Sequence, residues 1–408
     1  MQAHRRKVLL HGSALLAGSL LPLSSALAAD PIKLGSLLDT SGNFDAYGKA
    51  MDMATDLAID QINAAGGLAG RPVTKVGYDT QSNMALYTKF AQQLARQDKV
   101  DVVIGGILSA SREAIRPLLN RQKLLYVYTP LYEGGVCDAN TFLTGTTPAQ
   151  QAEVLVPYAM KQWGKKAYIL AADYNYGQYM ATWFQKFLKD NGGSAVGVEF
   201  FPLDVADFNS SIAKIQQAKP DFVISALVGG AHLSFYRQWA AAGMKSRIPM
   251  ASTTLGVGNE HRALTAAEGN GILVAYNYSP ELKTPANAAF LDAWSKKFAG
   301  NTKVIHELAV FHYQGIQLWA EGVRRAGNVR HDDVAKAMAG GVSIDGPSGK
   351  VQVDGQTHHV TLDVHVIEIQ DQKLNVKQSF AQRPPRETQA VCDLRKTPNA
   401  SVQHEIKL

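Results

Sequence analysis

A chain of 408 residues is longer than one ordinary domain and predicts two, each large enough to bury its own core. Hydrophobic residues make up 46% and charged residues 19%, the usage of a soluble globular protein, so long disordered stretches are not expected. The formal net charge of +6 is scattered along the chain without a basic stripe or block, which gives no support to a nucleic-acid partner.

The first residues have the pattern of a secretory signal peptide. Arg5, Arg6 and Lys7 precede the apolar run 8–23, and small residues at 26–28 fit an A-x-A cleavage site. We therefore expect residues 1–28 to be removed on export, which lowers the net charge from +6 to +3 because they hold these three basic residues and no acid. The paired arginines also fit an incomplete twin-arginine signal, so the Sec and twin-arginine routes both stay open. No later run of about 18 apolar residues predicts a transmembrane helix.

Strands and helices alternate from residue 32 onward, which is typical of a doubly wound parallel sheet. Residues 101–135 form one strand–turn–helix–strand unit, in which a buried strand ends in glycines and LLYVYTP forms the next strand. Both strands end at the same edge of the sheet, where ligands bind in open α/β folds. The predicted strands are 32–38, 73–78, 102–106 and 124–130, and the predicted helices are 49–64, 84–97 and 112–120.

The alternation restarts near residue 150 and predicts a second α/β unit of similar plan. Its predicted strands are 167–172, 196–201, 221–227, 248–251 and 271–275, and helical spacing returns at 286–298 and 309–325. Residues 349–369 then alternate apolar and polar side chains around an Asp354-Gly355 turn, which predicts antiparallel strands at a sheet edge. The last thirty or so residues show little periodicity and are expected to wrap irregularly over the surface.

No catalytic or nucleotide-binding motif is complete. His306-Glu307 begins like a zinc-protease motif, but Val310 stands where the second histidine is required. His359, Asp363 and His365 share one face of a predicted strand and could hold zinc. The interpretation as ordinary polar side chains on an exposed strand face is favoured, because no fourth ligand is apparent. We expect no metal and no cofactor.

Hydroxyl and aromatic side chains recur in the loops that follow the predicted strands. Tyrosines there would provide apolar walls with hydroxyl tips, as enclosed small-molecule sites use. No general acid, base and activated nucleophile come together, which favours binding over catalysis and predicts that the protein is not an enzyme. The loops concerned hold Ser109, the 128–132 segment, Tyr174-Asn175-Tyr176, Val228-Gly229-Gly230, Ser252-Thr253-Thr254 and Tyr276-Asn277-Tyr278.

Five stretches of the mature chain stand out together: INAAGGLAGRPV, DTQS, GGILSASREAIRP, YTPLYEGG and DYNYGQ. Through them the mature chain, to about residue 370, resembles the type I periplasmic solute-binding proteins of ABC importers, in their branched-chain amino acid, amide and urea branch. It implies a periplasmic location and an α/β fold of two doubly wound parallel-sheet lobes joined by a three-stranded hinge. The expected division is 1–28 signal peptide, 29–146 and 279–343 lobe 1, 147–278 and 344–375 lobe 2, and 376–408 C-terminal tail.

The resemblance also implies a ligand site in the cleft between the lobes. Ser109 corresponds to the family serine that meets the ligand's carboxylate or carbonyl, and Tyr176 to the tyrosine that closes the pocket from the second lobe. At Thr253-Thr254 this chain has hydroxyls where amino-acid binders of the family place a glutamate for the ammonium group. The expected ligand-binding residues are Ser109, Tyr128, Thr129, Pro130, Tyr132, Tyr176, Gly229, Thr253, Thr254, Tyr276 and Tyr278.

The expected function is to capture a small polar solute and deliver it to the permease subunits of an ABC transporter, with the binding protein acting as a monomer. A neutral solute such as urea or a short amide is favoured, because burying an unpaired ammonium group is costly. The alternatives are a branched-chain amino acid as ligand, if a charged side chain such as Arg112, Asp173, Glu133 or Glu260 reaches the cleft, and a ligand-sensing subunit of a signalling system.

The two cysteines of the chain, Cys137 and Cys392, are expected to form a disulfide. An exported protein meets oxidising conditions, under which a single disulfide is plausible. The bond would join the C-terminal tail to the loop after YTPLYEGG; the alternative is a pair of buried free thiols.

Overall fold

A computed structural model describes residues 30–405, so the predicted signal peptide lies outside the described part of the chain. The strands are β1 (Ile32–Leu38), β2 (Val73–Asp79), β3 (Val102–Gly105), β4 (Leu125–Tyr128), β5 (Val136–Asp138), β6 (Thr141–Leu143), β7 (Lys166–Ala172), β8 (Ser194–Phe201), β9 (Phe222–Ala226), β10 (Met250–Ser252), β11 (Leu273–Tyr276), β12 (Ser343–Gly346), β13 (Gly349–Val353), β14 (Val360–Gln370), β15 (Lys373–Arg383) and β16 (Ser401–Gln403). The helices are α1 (Asp45–Ala64), α2 (Met84–Gln93), α3 (Ser109–Arg121), α4 (Ala152–Trp163), α5 (Asn175–Asp190), α6 (Asn209–Ala218), α7 (Gly230–Ala241), α8 (Ala266–Gly269), α9 (Pro285–Lys297), α10 (Glu307–Ala326), α11 (His331–Ala339) and α12 (Arg386–Gln389). Among the helices of residues 30–405, none has both the length and the apolar character that crossing a bilayer demands.

Residues 32–143 form a parallel sheet of five strands in the order β2-β1-β3-β4-β6. All four residues of β3 are buried, as expected for a central strand covered by helices on both faces. Helices α1, α2 and α3 connect consecutive strands, so the predicted doubly wound arrangement is confirmed here.

The second sheet has nine strands in the order β12-β13-β14-β11-β10-β9-β7-β8, with β15 paired to β14. Strands β7 to β11 are parallel to one another, whereas β12 to β15 are antiparallel. The predicted hairpin around Asp354-Gly355 is confirmed, since β13 and β14 pair antiparallel with Val353 opposite Val360. The sheet thus combines a doubly wound centre with an antiparallel edge.

The chain passes between the two sheets three times. It leaves the first sheet after β6, forms β7 to β11, and returns with α9 to α11, of which α10 packs on α1, β3 and β4. It then crosses back to add β12 to β15 to the second sheet. This is the two-lobed architecture expected for the fold class, with the hinge formed by the crossing segments.

The structure differs from the sequence-based expectation in the last part of the chain. Lys373–Arg383 is an eleven-residue strand rather than an irregular wrap. Most of its side chains are exposed, and apolar residues alternate only at its start, at Leu374 and Val376, so the sequence gives a weak signal for this strand, which pairs antiparallel with β14. Beyond it, the tail as described to residue 405 contains α12 and the short strand β16, which pairs with β5.

The disulfide between Cys137 and Cys392 is present, with the two Cα atoms 5.4 Å apart. The three suggested zinc ligands do not come together. His359 faces Tyr132, Asp363 accepts hydrogen bonds from Gln382, and His365 lies 2.8 Å from the Ser379 hydroxyl. Across residues 30–405, no three His, Cys, Asp or Glu side chains cluster closely enough to hold a metal ion.

Candidate functional site

A narrow cleft lies between the two sheets at the carboxyl ends of β3, β4, β7 and β9. Its walls are apolar and aromatic side chains with a few hydroxyls, and none of the lining side chains is charged. The lining residues are Tyr47, Ile107, Leu108, Ser109, Tyr128, Pro130, Leu131, Tyr174, Tyr176, Val228, Thr254, Val257 and Leu308.

Five of the expected ligand-binding residues line this cleft, namely Ser109, Tyr128, Pro130, Tyr176 and Thr254. The other six lie outside its lining, and most have partners elsewhere. Thr253 supports the wall from behind, since its hydroxyl lies 3.1 Å from that of Tyr176, and Gly229 donates its N–H to the Tyr47 hydroxyl at 3.4 Å. The partners of the remaining four are His312 for Thr129, His359 for Tyr132, the Leu255 carbonyl for Tyr276 and Asn287 for Tyr278.

Several lining residues were not predicted. Tyr47 lies in the first turn of α1, just after the loop that follows β1. The rule that ligands bind at the carboxyl ends of strands, applied to β1, would have predicted it. Tyr174 and Val228 belong to loops that the sequence singled out without naming them as contacts. Val257 and Leu308 carry no signal, because an apolar side chain in a cleft wall looks the same in sequence as one in the core.

The hydroxyls of the cleft are held by neighbouring groups. Tyr128 donates to the Ile107 carbonyl at 2.9 Å, and Thr254 donates to the Leu227 carbonyl at 2.5 Å. Burial raises the pKa of Tyr128 and of Tyr176 well above that of a free tyrosine, so both stay neutral. The two rings therefore act as fixed walls with uncharged polar edges.

Behind Ser109 lies a buried ion pair. The Ser109 hydroxyl donates to Glu133 Oε2 at 2.5 Å, and Arg112 donates to Glu133 Oε1 at 2.7 Å. The Arg112 side chain is 0% exposed, and its guanidinium carbon lies 5.1 Å from the centre of the Tyr128 ring and 4.6 Å from that of Tyr132. Arg112 Nε also donates to Glu113 Oε1 at 2.9 Å, and neither Arg112 nor Glu133 is among the residues that line the cleft.

A second buried carboxylate, Glu260, lies behind Tyr47. Its Oε2 accepts the N–H groups of Gly256 and Gly258, each at 3.0 Å, and its Oε1 lies 3.6 Å from His232 Nε2. Burial disfavours the charged carboxylate, but His232 and the Tyr47 hydroxyl stabilise it and lower its pKa to about 2. A β-carbon at Gly258 would come within 2.1 Å of Tyr47, so this glycine is what lets the tyrosine lie against the loop.

Three helices begin at the cleft. The N-cap positions are Leu108 for α3, Tyr174 for α5 and Gly229 for α7, and none of the three helices has a side-chain cap. The first N–H groups of a helix have no partner within it and carry partial positive charge. Such N-termini are ready-made sites for an anionic group, here placed around an otherwise uncharged cleft.

Two doubly wound lobes joined by three crossings, with a narrow cleft at their strand ends, define the class of solute-binding proteins. Residues 31–373 match the family model described as periplasmic binding protein, and the chain belongs to that family. A leucine-, isoleucine-, valine-, threonine- and alanine-binding protein of Pseudomonas aeruginosa is 25% identical over 85% of this chain and 91% of its own length. The Leu/Ile/Val-binding protein of Escherichia coli K12 is 26% identical over 70% of this chain and 78% of its own.

Solved structures agree in fold. An ABC transporter solute-binding protein from Rhodopseudomonas palustris HaA2, in complex with p-hydroxybenzoic acid, superimposes with a TM-score of 0.80. It is 25% identical, and the match covers 87% of this chain and 98% of that one. The chain is thus a solute-binding protein of an ABC transporter and not an enzyme, and such proteins deliver small molecules to a permease. The comparisons do not support urea or a short amide as the ligand. The names of the relatives agree better with the alternative expectation, a branched-chain amino acid.

Proposed function

We propose that the protein binds a small carboxylic acid with an apolar, aromatic body and delivers it, as a monomer, to an ABC permease. The observation that carries this proposal is the contrast between the uncharged walls of the cleft and the three uncapped helix N-termini that open on it. A carboxylate gains from the free N–H groups and the helix dipoles, whereas a lone ammonium group would find no charged partner in the lining.

The walls suit a flat apolar body. Tyr128, Tyr174 and Tyr176 offer ring faces and edges, and aromatic pairs contribute about 0.5–1.5 kcal/mol beyond the burial of their area. Ser109 and Thr254 add hydroxyls at opposite sides of the cleft. The complex of the Rhodopseudomonas palustris protein with p-hydroxybenzoic acid supports an aromatic acid of this size.

A second candidate is a branched-chain amino acid, which shares the carboxylate and the apolar body. The observation in its favour is Glu260, a buried carboxylate directly behind Tyr47 whose Oε1 has no hydrogen-bond partner among the described residues. A small shift of Tyr47 would let this oxygen face an ammonium group. The names of the Pseudomonas aeruginosa and Escherichia coli relatives support this candidate.

Titration calorimetry on the purified protein tests both candidates. We expect binding of 4-hydroxybenzoate and benzoate, and loss of binding for benzamide, which has nearly the shape of benzoate without its charge. Tyr176→Ala should weaken binding of the acids by tenfold or more, given the roughly 1.5–3 kcal/mol carried by a buried aromatic side chain. The matched control is Tyr158→Ala, on the same lobe but lining a surface hollow away from the cleft.

The same titrations separate the candidates. Binding of leucine or isoleucine that is lost in Glu260→Gln, with no binding of benzoate, would replace the aromatic acid by the branched-chain amino acid. Preferential binding of urea or acetamide would reject both.

A further inference from the structure

The last described residues of the chain, up to residue 405, lie behind the part of the cleft wall that contains Ser109. The family match ends at residue 373, whereas the described chain continues to residue 405 through most of β15, α12 and β16. The disulfide to Cys137 holds Cys392, and β16 pairs antiparallel with β5, with Val402 opposite Cys137. Residues 401–403 are therefore fixed against the segment that follows β4.

Gln403 hydrogen-bonds to both members of the buried ion pair behind Ser109. Its side-chain N–H donates to Glu133 Oε1 at 2.6 Å, and its Oε1 accepts from Arg112 Nη2 at 3.2 Å. Since Arg112 and Glu133 are 0% and 2% exposed, the pair has little water to hydrogen-bond. Buried charges are stable only when further hydrogen bonds satisfy their remaining donors and acceptors, and Gln403 provides one of each.

The second oxygen of Glu133 sets the role of Ser109. A carboxylate paired with arginine can only accept, so the Ser109 hydroxyl hydrogen is used toward Glu133 Oε2. The Ser109 hydroxyl oxygen therefore offers only its lone pairs to a ligand in the cleft. Ser109 can then accept from a ligand but has no hydrogen left to give to the ligand's carboxylate.

We propose that Gln403 is a positioning residue of the binding site: it holds Glu133 so that Ser109 meets the ligand as a hydrogen-bond acceptor, which selects ligands that donate a hydrogen bond there. This inference rests on the proposed function, because it takes Ser109 as a ligand contact. It adds that the ligand must donate a hydrogen bond to Ser109, as the phenol of a hydroxybenzoate or an ammonium group can. It also assigns a role to Gln403, which lies outside the family match.

The chain offers a matched control two residues away. Ser401 bridges the neighbouring ion pair in the same manner, donating to Asp138 Oδ2 at 2.6 Å and accepting from Arg116 Nη1 at 3.2 Å. That pair does not touch Ser109. Gln403→Leu and Ser401→Ala should therefore cost similar stability, measured as the thermal midpoint of the ligand-free protein, while only Gln403→Leu changes binding.

Calorimetry on the full chain uses two probes, 4-hydroxybenzoate and leucine. Each is compared with an analogue that lacks the hydrogen-bond donor: 4-fluorobenzoate lacks the phenol, and 4-methylpentanoate lacks the ammonium group. For whichever probe binds, Gln403→Leu should weaken affinity by up to roughly tenfold, the effect of losing one hydrogen bond to the Ser109 hydroxyl, and should leave the affinity for the donor-free analogue unchanged. In a Ser109→Ala background, Gln403→Leu should add no further loss. Equal effects of Gln403→Leu and Ser401→Ala on affinity, or additivity with Ser109→Ala, would make Gln403 merely structural and overturn the inference.

Hydrogen exchange of the ligand-free protein keeps this test separate from that of the proposed function. Gln403→Leu should speed amide exchange in residues 107–113 and 131–136, and Ser401→Ala should not do so in residues 107–110. If the wild type binds no probe, the proposed function fails. In that case the part of the inference that concerns the ligand-free protein, the positioning of Glu133 by Gln403, is retained if exchange responds in this way, and the whole inference is rejected if it does not.

Discussion

At the scale of single residues, the interior of the first lobe depends on neutral histidines. His312 on α10 is 0% exposed, lies 3.1 Å from the Thr129 hydroxyl and 2.9 Å from that of Thr55, and so ties α10 to α1 and to the end of β4. Burial lowers its pKa from 6.5 to about 3. The unfolded chain therefore binds a proton between these values that the folded chain excludes, and the folded state loses stability as the pH falls through this window.

We expect His312→Gln to be less sensitive to acid than the wild type. The free energy of unfolding of the wild type should fall more steeply between pH 6.5 and pH 3, with a difference in slope of up to about 1.4 kcal/mol per pH unit. Urea denaturation at a series of pH values measures both slopes. Equal slopes for the two proteins would show that protonation of His312 does not destabilise the folded state.

At the scale of elements, the sequence predicted well wherever burial leaves a periodic pattern. The strands Ile32–Leu38 and Val102–Gly105 and the hairpin at residues 349–370 appear where apolar runs or alternation place them. Two boundaries were missed because the signals are weaker: α1 begins at Asp45, without a side-chain cap, and α2 gives way to a π-helical turn at Leu94–Asp98. The exposed edge strand β15 alternates apolar and polar side chains only at its start, at Leu374 and Val376, and its pairing with β14 was therefore not predicted.

The disulfide between β5 and the tail is the element-scale feature with the largest expected effect on stability. It closes a loop with a sequence separation of 255 residues. Replacing both cysteines with serine should lower the free energy of unfolding by about 2–5 kcal/mol. Chemical denaturation compared with the wild type under oxidising and reducing conditions measures this, and a wild type equally stable under both would contradict it.

At the scale of the whole molecule, the sequence predicted the two lobes and the edge of the sheets where the site lies, but only part of the site. The rule on strand ends needs only topology, so it located Ser109, Tyr128 and Tyr176 on the cleft lining. Which hydroxyl faces the cleft and which one faces a neighbour depends on tertiary packing, as Tyr276 and Tyr278 show with their hydroxyls bonded to Leu255 and Asn287. The comparisons do not support the urea or short amide expected from those hydroxyls, and the apolar residues of the lining carry no sequence signal from which another ligand could have been inferred.

Closure of the lobes over the ligand should depend on a contact at the rim of the cleft. Trp183 on α5 donates its indole N–H to the Glu133 carbonyl in the other lobe at 3.2 Å. Trp183→Phe keeps the ring but removes this bond, so we expect the open form to gain population and ligand affinity to fall a few-fold to tenfold, as for the loss of one hydrogen bond. Trp239→Phe is the matched control, because the Trp239 indole N–H is buried in the same lobe without a partner among the described residues.

Small-angle scattering with and without saturating ligand measures the closure. The wild type and Trp239→Phe should become more compact on binding, since each lobe provides only part of the site and closure completes the contacts. Trp183→Phe should need a higher ligand concentration to reach the same radius. Equal radii for the free and bound wild type would exclude hinge closure, and the cleft would then have to admit its ligand through its narrow mouth without movement of the lobes.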